Sequence, residues 1–312
     1  MLRATRCALR LLVFRLAAVV VPRLPETPGR MLAVLAAELA YLILGPVRRR
    51  VAANLRPALG PDGSPARLRR AVRGVFHTAA LNYFELFRLP VLDARTLARR
   101  VSIRHVERLH AAMRRGAGVI VVTAHLGPFD VVPQLAVLLG LKVTIPVEPI
   151  EPVALRDLVT RLRASHGVRF VPLGTAALRE VVRTLRAGGI VTLALDRDVL
   201  GDGLPLPFFG REATFQEGPA VLAARTGATI LPMFAIRHGL DRCTVLIEEP
   251  VPLVYAASGA VDTRATVQAI VGVLERVITA HPEQWLVFAP VWRDGGNAGR
   301  PRARRGSHGE AK

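Results

Sequence analysis

The chain has 312 residues, 51% of them hydrophobic, with a mean hydropathy of +0.33 and a formal net charge of +19. That length accommodates one large α/β domain or two modest ones with a sizeable core, and the apolar balance brings contact with a membrane into view. Only two cysteines occur, Cys7 and Cys243, at no metal-ligand spacing, so nothing suggests a disulfide framework or a zinc site and each reads as a small buried hydrophobe.

The charge is unevenly spread. Residues 1–115 carry 22 arginines against 6 acidic groups, a net +16, whereas residues 116–292 carry 15 basic and 16 acidic groups, a net −1. Residues 293–312 return to +4. Arginine suits bidentate phosphate contacts. Such a field fits nucleic acid, anionic lipid or a phosphate-rich substrate. Aromatics are only 5% and no nucleic-acid module is recognisable, so nucleic acid ranks last.

In chain order, the first element is the apolar run ALRLLVFRLAAVVV at 8–21, split by Arg15 and followed by no small-residue cleavage site. The second run, MLAVLAAELAYLIL at 31–44, is fourteen residues long, contains Glu38 and is short for a transmembrane span. Both read as membrane-seeking helices, with core helices as the alternative. Arg48, Arg49 and Arg50 follow directly, placed for lipid phosphates. PDGSP at 61–65 marks a loop, and 66–88 has the helical period of an amphipathic helix with arginines in its first turns.

From 116 onward strands alternate with helices. The spacing predicts strands at 119–123, 142–147, 169–173, 190–195, 229–237, 243–250 and 285–292. Helices are predicted at 131–139, 152–167, 175–189, 218–228 and 265–281. This alternation argues for an α/β fold with a mostly parallel, helix-covered sheet. The tail from 293 has no apolar periodicity and reads as disordered.

In an open α/β sheet, ligands gather beyond the carboxyl ends of the strands. His125 follows VIVVT, Glu148 follows KVTIPV, and Asp196, Arg197 and Asp198 follow IVTLAL. In GVIVVTAHLGPFDVV, Gly127-Pro128 turns strand into helix and places Asp130 near the helix start. There Asp130 is placed to accept the proton-bearing nitrogen of His125, leaving the other nitrogen as a base for a substrate hydroxyl. By itself His-x-x-x-x-Asp is a weak motif, and a helix-capping Asp beside an unrelated His is the bland reading. Asp196 and Asp198 around Arg197 also fit a strand-end turn. Arg163 fits a phosphate contact, a pair with Glu148 or a solvated helix face.

TAHLGPFD, VEPIEPVALRDLVTRLRASHG, LALDRDVLGDGLPLPFFG and EGPAVLAARTGATILPMFAIR occur in that order, with RRRVAANL at 48–55 upstream. Together they resemble the lipid A biosynthesis acyltransferase family from about residue 20 to 292. Asp196-Arg197-Asp198, FFG and GPAVLAARTGA are most similar to the branch that acylates phosphatidylinositol mannosides. The resemblance implies a fold of glycerolipid-acyltransferase type with membrane-associated N-terminal helices. It implies that His125 is the general base with Asp130 its partner, that Glu148 and Arg163 shape the site, and that Asp196, Arg197 and Asp198 line it. Pro128 and Phe129 depart from the Asn and Trp common in that family, and VLGDGLPLP lacks a glutamate associated with the mannoside branch.

The reading is therefore a basic membrane-associated segment at 1–60, an acyltransferase unit at 61–292 and a basic tail at 293–312. The implied reaction moves a fatty acyl group from acyl-CoA or acyl carrier protein, as co-substrate, to a sugar hydroxyl of a membrane glycolipid. No further cofactor, no metal and no nucleic acid is expected. The expected location is the cytoplasmic face of the plasma membrane, on an anionic surface, with the protein peripheral or N-terminally anchored. Deleting residues 1–44 is expected to release the protein from membranes and leave the α/β block folded. A glycerolipid acyltransferase, which adds a Pro-Glu-Gly-Thr-Arg block absent here, and a non-catalytic lipid-binding protein on the same fold are the alternatives.

Overall fold

The computed structural model describes residues 2–148 and 150–292, so the tail expected to be disordered lies outside the described residues. Four helices come first: α1 (Leu2–Val20), α2 (Glu26–Ile43), α3 (Gly45–Ala58) and α4 (Pro65–Arg88). Ser64 caps α4 by accepting the Arg67 amide at 3.2 Å, and Pro65 takes the first helical position. The arginines at the start of α4 are exposed, while its later turns bury Val75, Phe76, Leu81, Phe84 and Phe87.

The helix α2 is built into the body of the protein. Gly29 lies so close to Phe84 of α4 that a Cβ there would fall 2.5 Å from the ring. Glu26 pairs with Arg30, Arg88 and Arg100, and Arg88 also donates to the Leu24 carbonyl at 2.7 Å. Removing residues 1–44 would strip these partners from α4 and from Arg100. Among the described residues the opposite faces are unpartnered. Leu9, Leu12, Leu16 and Val19 of α1, and Leu35, Leu39 and Leu42 of α2, are each more than half exposed. Among the described residues no single helix is long and apolar enough to cross a membrane; α2 and α3 together meet that test but are bent by 94°.

After α5 (Ala94–Arg100) come β1 (Val101–Arg104), α6 (Val106–Arg114), β2 (Val119–Thr123), α7 (Val131–Leu138), β3 (Val143–Val147), α8 (Val153–Arg163) and β4 (Arg169–Pro172). The chain continues through α9 (Thr175–Arg186), β5 (Ile190–Ala194), β6 (Leu204–Phe208), β7 (Arg211–Phe215), α10 (Gly218–Thr226), β8 (Thr229–His238), β9 (Arg242–Ile247) and α11 (Thr263–Ala280). Seven strands form one sheet in the order β1-β9-β8-β2-β5-β3-β4, and β6 and β7 form a separate antiparallel hairpin. The run β8-β2-β5-β3-β4 is parallel, while β9 lies antiparallel to β8 and carries β1 parallel to itself. The sheet is thus mostly parallel with a reversed pair at one edge.

Strand β2 is central and covered on both faces. Ile120 and Val122 pack into a core with α3, α4, α9 and α11, whereas Val119 and Val121 face a second core with α6 and α7. The segment 285–292, expected as a final strand, makes only one isolated bridge, Leu126 with Trp285. Asn54 of α3 instead holds it, donating to the Val287 and Ala289 carbonyls at 2.9 and 2.6 Å.

Candidate active site

Strands β2 and β5 are hydrogen-bonded neighbours with Thr123 opposite Ala194, and the Leu195 amide continues the ladder to the Thr123 carbonyl at 3.0 Å. Two residues further along each chain stand His125 and Asp196. Equal offsets from adjacent parallel strand ends bring them side by side, because neighbouring strands lie only about 4.8 Å apart. His125 Nδ1 is 2.8 Å from Asp196 Oδ1. The other carboxylate oxygen, Oδ2, accepts from the Trp285 indole Nε1 at 2.9 Å. A carboxylate only accepts, so Nδ1 carries the proton and Nε2 is left as the basic nitrogen.

Burial separates the two roles. The Asp196 side chain is 1% exposed and that of His125 is 31% exposed. Burial pushes the Asp196 carboxyl up, but the His125 charge and the hydrogen bonds from His125 and Trp285 outweigh it and hold the group below the ordinary carboxylate range. The imidazole therefore reaches solvent while the carboxylate bonded to it does not.

Asp130 has a different partner from the one its sequence spacing suggests. It precedes α7 but makes no side-chain capping hydrogen bond. Its carboxylate meets Arg163 of α8, with Nε 2.9 Å from Oδ1 and Nη2 donating to Oδ2 at 3.0 Å. Buried Gln134 reinforces this α7–α8 junction by donating to the Arg163 carbonyl at 2.7 Å. The Asp196 contact arises because β5 lies beside β2 and sets Asp196, 71 residues further along the chain, against the His125 ring.

The other candidates divide among separate tasks. Arg197 pairs with Glu148 at 3.2 Å across the ends of β5 and β3, with both side chains exposed. This gives Glu148 a different arginine from the Arg163 considered at sequence level. Asp198 turns back on its own loop, accepting from the amides of Gly201 and Gly203 at 2.8 and 3.1 Å and from Gln216 Nε2 at 2.5 Å. Partial burial raises its carboxyl, and these bonds more than reverse the effect. Among the described residues no cluster of His, Cys, Asp or Glu suited to a metal ion occurs.

Phe129 makes an edge contact with the His125 ring, centroids 5.4 Å apart. Phe129 also lines an apolar cleft of about 580 Å³, counted to its open mouth, which runs across the sheet between Val121, Thr192 and Met233 on one side and Leu109 and Ala136 on the other. Sequence reasoning missed Trp285 as a site residue. A buried indole needs an acceptor, but nothing in the sequence says which one it finds.

An accessible imidazole bonded to a buried carboxylate, beside a phenylalanine that lines an apolar cleft, is an arrangement that general-base chemistry can use. The model of the bacterial lipid A biosynthesis acyltransferase family matches residues 2–294, and the chain belongs to that family. It is similar to phosphatidylinositol mannoside acyltransferase from two strains of Mycobacterium tuberculosis, 31% identical over 213 residues, 67% of this chain and 66% of each relative. The protein of the same name from Mycolicibacterium smegmatis is 27% identical over 224 residues, 71% of this chain and 72% of that one. The match thus spans just under two thirds of the Mycobacterium tuberculosis relatives.

Proposed function

We propose that this chain transfers a fatty acyl group from a thioester, acyl-CoA or acyl carrier protein, to a sugar hydroxyl of a membrane glycolipid of the phosphatidylinositol mannoside or lipid A kind. The observation that carries the reading is His125, oriented by buried Asp196 and in contact through Phe129 with the apolar cleft. In this reading the cleft takes the acyl chain. The sugar hydroxyl donates to His125 Nε2. As its oxygen attacks the thioester carbonyl carbon, Nε2 takes the proton and Asp196 stabilises the resulting imidazolium. Collapse of the tetrahedral intermediate breaks the carbon–sulfur bond, and the leaving sulfur takes the proton back from Nε2. Glu148, Arg197 and Arg163 lie around the strand ends and serve the polar parts of donor and acceptor.

The same proposal docks the outer faces of α1 and α2 in the membrane interface. Their unpartnered leucines supply apolar area, and the arginines of residues 1–115 supply attraction to an anionic surface. A thioester donor places the protein on the cytoplasmic face of the plasma membrane. Replacing Leu12, Leu16, Leu35 and Leu39 with Asp should abolish flotation with anionic vesicles while the far-ultraviolet circular dichroism stays unchanged; retained flotation would refute the docking face.

The reaction is tested with purified protein, palmitoyl-CoA or palmitoyl acyl carrier protein, and three acceptors: a phosphatidylinositol mannoside, a lipid A precursor and lysophosphatidic acid. Mass spectrometry reads the products. Acylation of a glycolipid is expected, with His125→Ala at least about 10²-fold slower. Acylation of lysophosphatidic acid alone would move the acceptor to the glycerolipid class. No transfer from either donor would overturn the reading in favour of lipid binding without catalysis.

A further inference from the structure

The histidine loop is held from behind by a buried polar network that the acyl-transfer reading leaves unused. Gly127 has φ +56°, and a Cβ there would lie 2.0 Å from the Ala235 carbonyl oxygen, so the loop rests directly on β8. The peptide groups of Gly127 are clamped on both sides. Its amide donates to the Gln284 carbonyl at 3.0 Å, and its carbonyl accepts from Asn82 Nδ2 of α4 at 2.7 Å. Asn82 Oδ1 in turn accepts from Arg237 Nη2 at 2.7 Å, and Arg237 makes two 2.6 Å bonds to Glu85. The Gln284 side chain closes the ring, accepting from the Arg237 amide at 2.7 Å and donating to its carbonyl at 3.0 Å. All four side chains are buried.

A network of this kind is a poor way to gain stability. Burying an ion pair costs desolvation that well-packed apolar residues avoid, and Arg237 Nε has no partner among the described residues. What such a network does well is fix one geometry. The geometry it fixes here belongs to Gly127, two residues after His125 and two before Phe129. We infer that Asn82, held by Arg237 and Glu85, is a positioning residue for acyl transfer, fixing the His125 loop against the sheet so that the imidazole meets Asp196 and the cleft at once. The inference rests on His125 acting as the base. It also gives α4 a part in the active site.

Thr266 provides the control. It too is a fully buried polar side chain bonded to the main chain, but it accepts from the Val254 amide at 3.0 Å and donates to the Asp262 carbonyl at 2.8 Å rather than holding the histidine loop. The experiment compares Asn82→Ala, Asn82→Gln and Thr266→Val in transfer from palmitoyl-CoA to a phosphatidylinositol mannoside, with thermal melts. The proton NMR signal of the His125 Nδ1–H, assigned by its loss in His125→Ala, is followed in parallel. Both Asn82 variants are expected to lower kcat by about 10- to 100-fold, the scale of a misplaced catalytic group, with KM within threefold. The Nδ1 signal should shift or broaden in both. Thr266→Val should lower Tm while leaving kcat within twofold and the signal in place. Unchanged kcat and signal in either folded Asn82 variant, or equal loss of kcat in Thr266→Val, would overturn the inference. If His125→Ala keeps its activity, the base reading fails, and the NMR signal alone decides whether Asn82 fixes the loop.

Discussion

Two carboxylates serve the region around His125, and their surroundings differ sharply. Asp130 lies five residues along the chain, at the partly exposed junction of α7 and α8, neutralised by the guanidinium of Arg163. Asp196 lies at the end of the neighbouring strand, buried, with both oxygens engaged by aromatic N–H groups. Arg163 holds Asp130 in a salt bridge that ties two helices together. Among the described residues Asp196 has no arginine or lysine in an ion pair, so its charge leans on the imidazole, and that arrangement suits stabilisation of an imidazolium. Sheet order, rather than distance along the chain, decides which acid the histidine is bonded to.

Substitution separates the two. Asp196→Asn keeps the shape, but its amide can present a donor to Nδ1 and favour the wrong tautomer. A loss of about 10³- to 10⁴-fold in kcat is expected, as for the orienting acid of a catalytic triad. Asp130→Asn removes a half of the Arg163 pair and acts on loop geometry, so about 10- to 100-fold is expected, with a lower Tm. Steady-state kinetics of both variants in one preparation decide the matter. A larger loss at Asp130 would return the orienting role to the acid of the His-x-x-x-x-Asp motif.

Trp285 tests the buried side of the comparison more gently. Trp285→Phe preserves much of the packing but removes the indole donor to Asp196 Oδ2. One hydrogen bond to a charged group is worth about 1.5–3 kcal/mol, which corresponds to roughly a tenfold or greater drop in kcat. An unchanged kcat would mean that His125 alone orients the carboxylate.

The buried acid also has a signature in stability. Its folded-state carboxyl lies below the ordinary value, so the unfolded chain binds the proton more readily. The stabilisation is fully present above the unfolded value of about 3.9 and is lost as pH falls through the folded one. In melts from pH 6 to pH 3, the wild type should lose Tm more steeply at the acid end than Asp196→Asn. Parallel curves would assign the acid sensitivity to other groups, such as Glu26 among its arginines.

Much of this fold was legible in the sequence, and the reasons are local. VIVVT is β-branched and continuous because β2 is buried on both faces, and IVTLAL and KVTIPV carry the same signal. His125 and the acids were therefore placed at strand ends correctly. What was illegible depends on tertiary order. That β5 inserts between β2 and β3 decides the His125–Asp196 pair, and periodicity does not encode it. Strand β1 escaped notice because four residues with one buried position make no pattern. LPLPF hides β6 behind its prolines, and WLVFAPVW is apolar enough to mimic a strand while Asn54 takes its carbonyls instead.

A third carboxylate gives the smallest effect and refines the contrast. Asp196, Arg197 and Asp198 are consecutive, yet each faces a different partner: His125, Glu148 and the loop at 201–203. Asp198 does not touch the imidazole. It organises the loop that leaves β5, in which Val199 and Leu200 are exposed. Asp198→Asn still offers one oxygen to the glycine amides but turns its nitrogen toward one of them, so the loop loosens without unfolding. The expected outcome is a rise in acceptor KM of about threefold with kcat nearly constant, the pattern of lost uniform binding. A fall in kcat at constant KM would mean instead that the loop presses on the Asp196–His125 pair, and the three neighbours would then act as one unit.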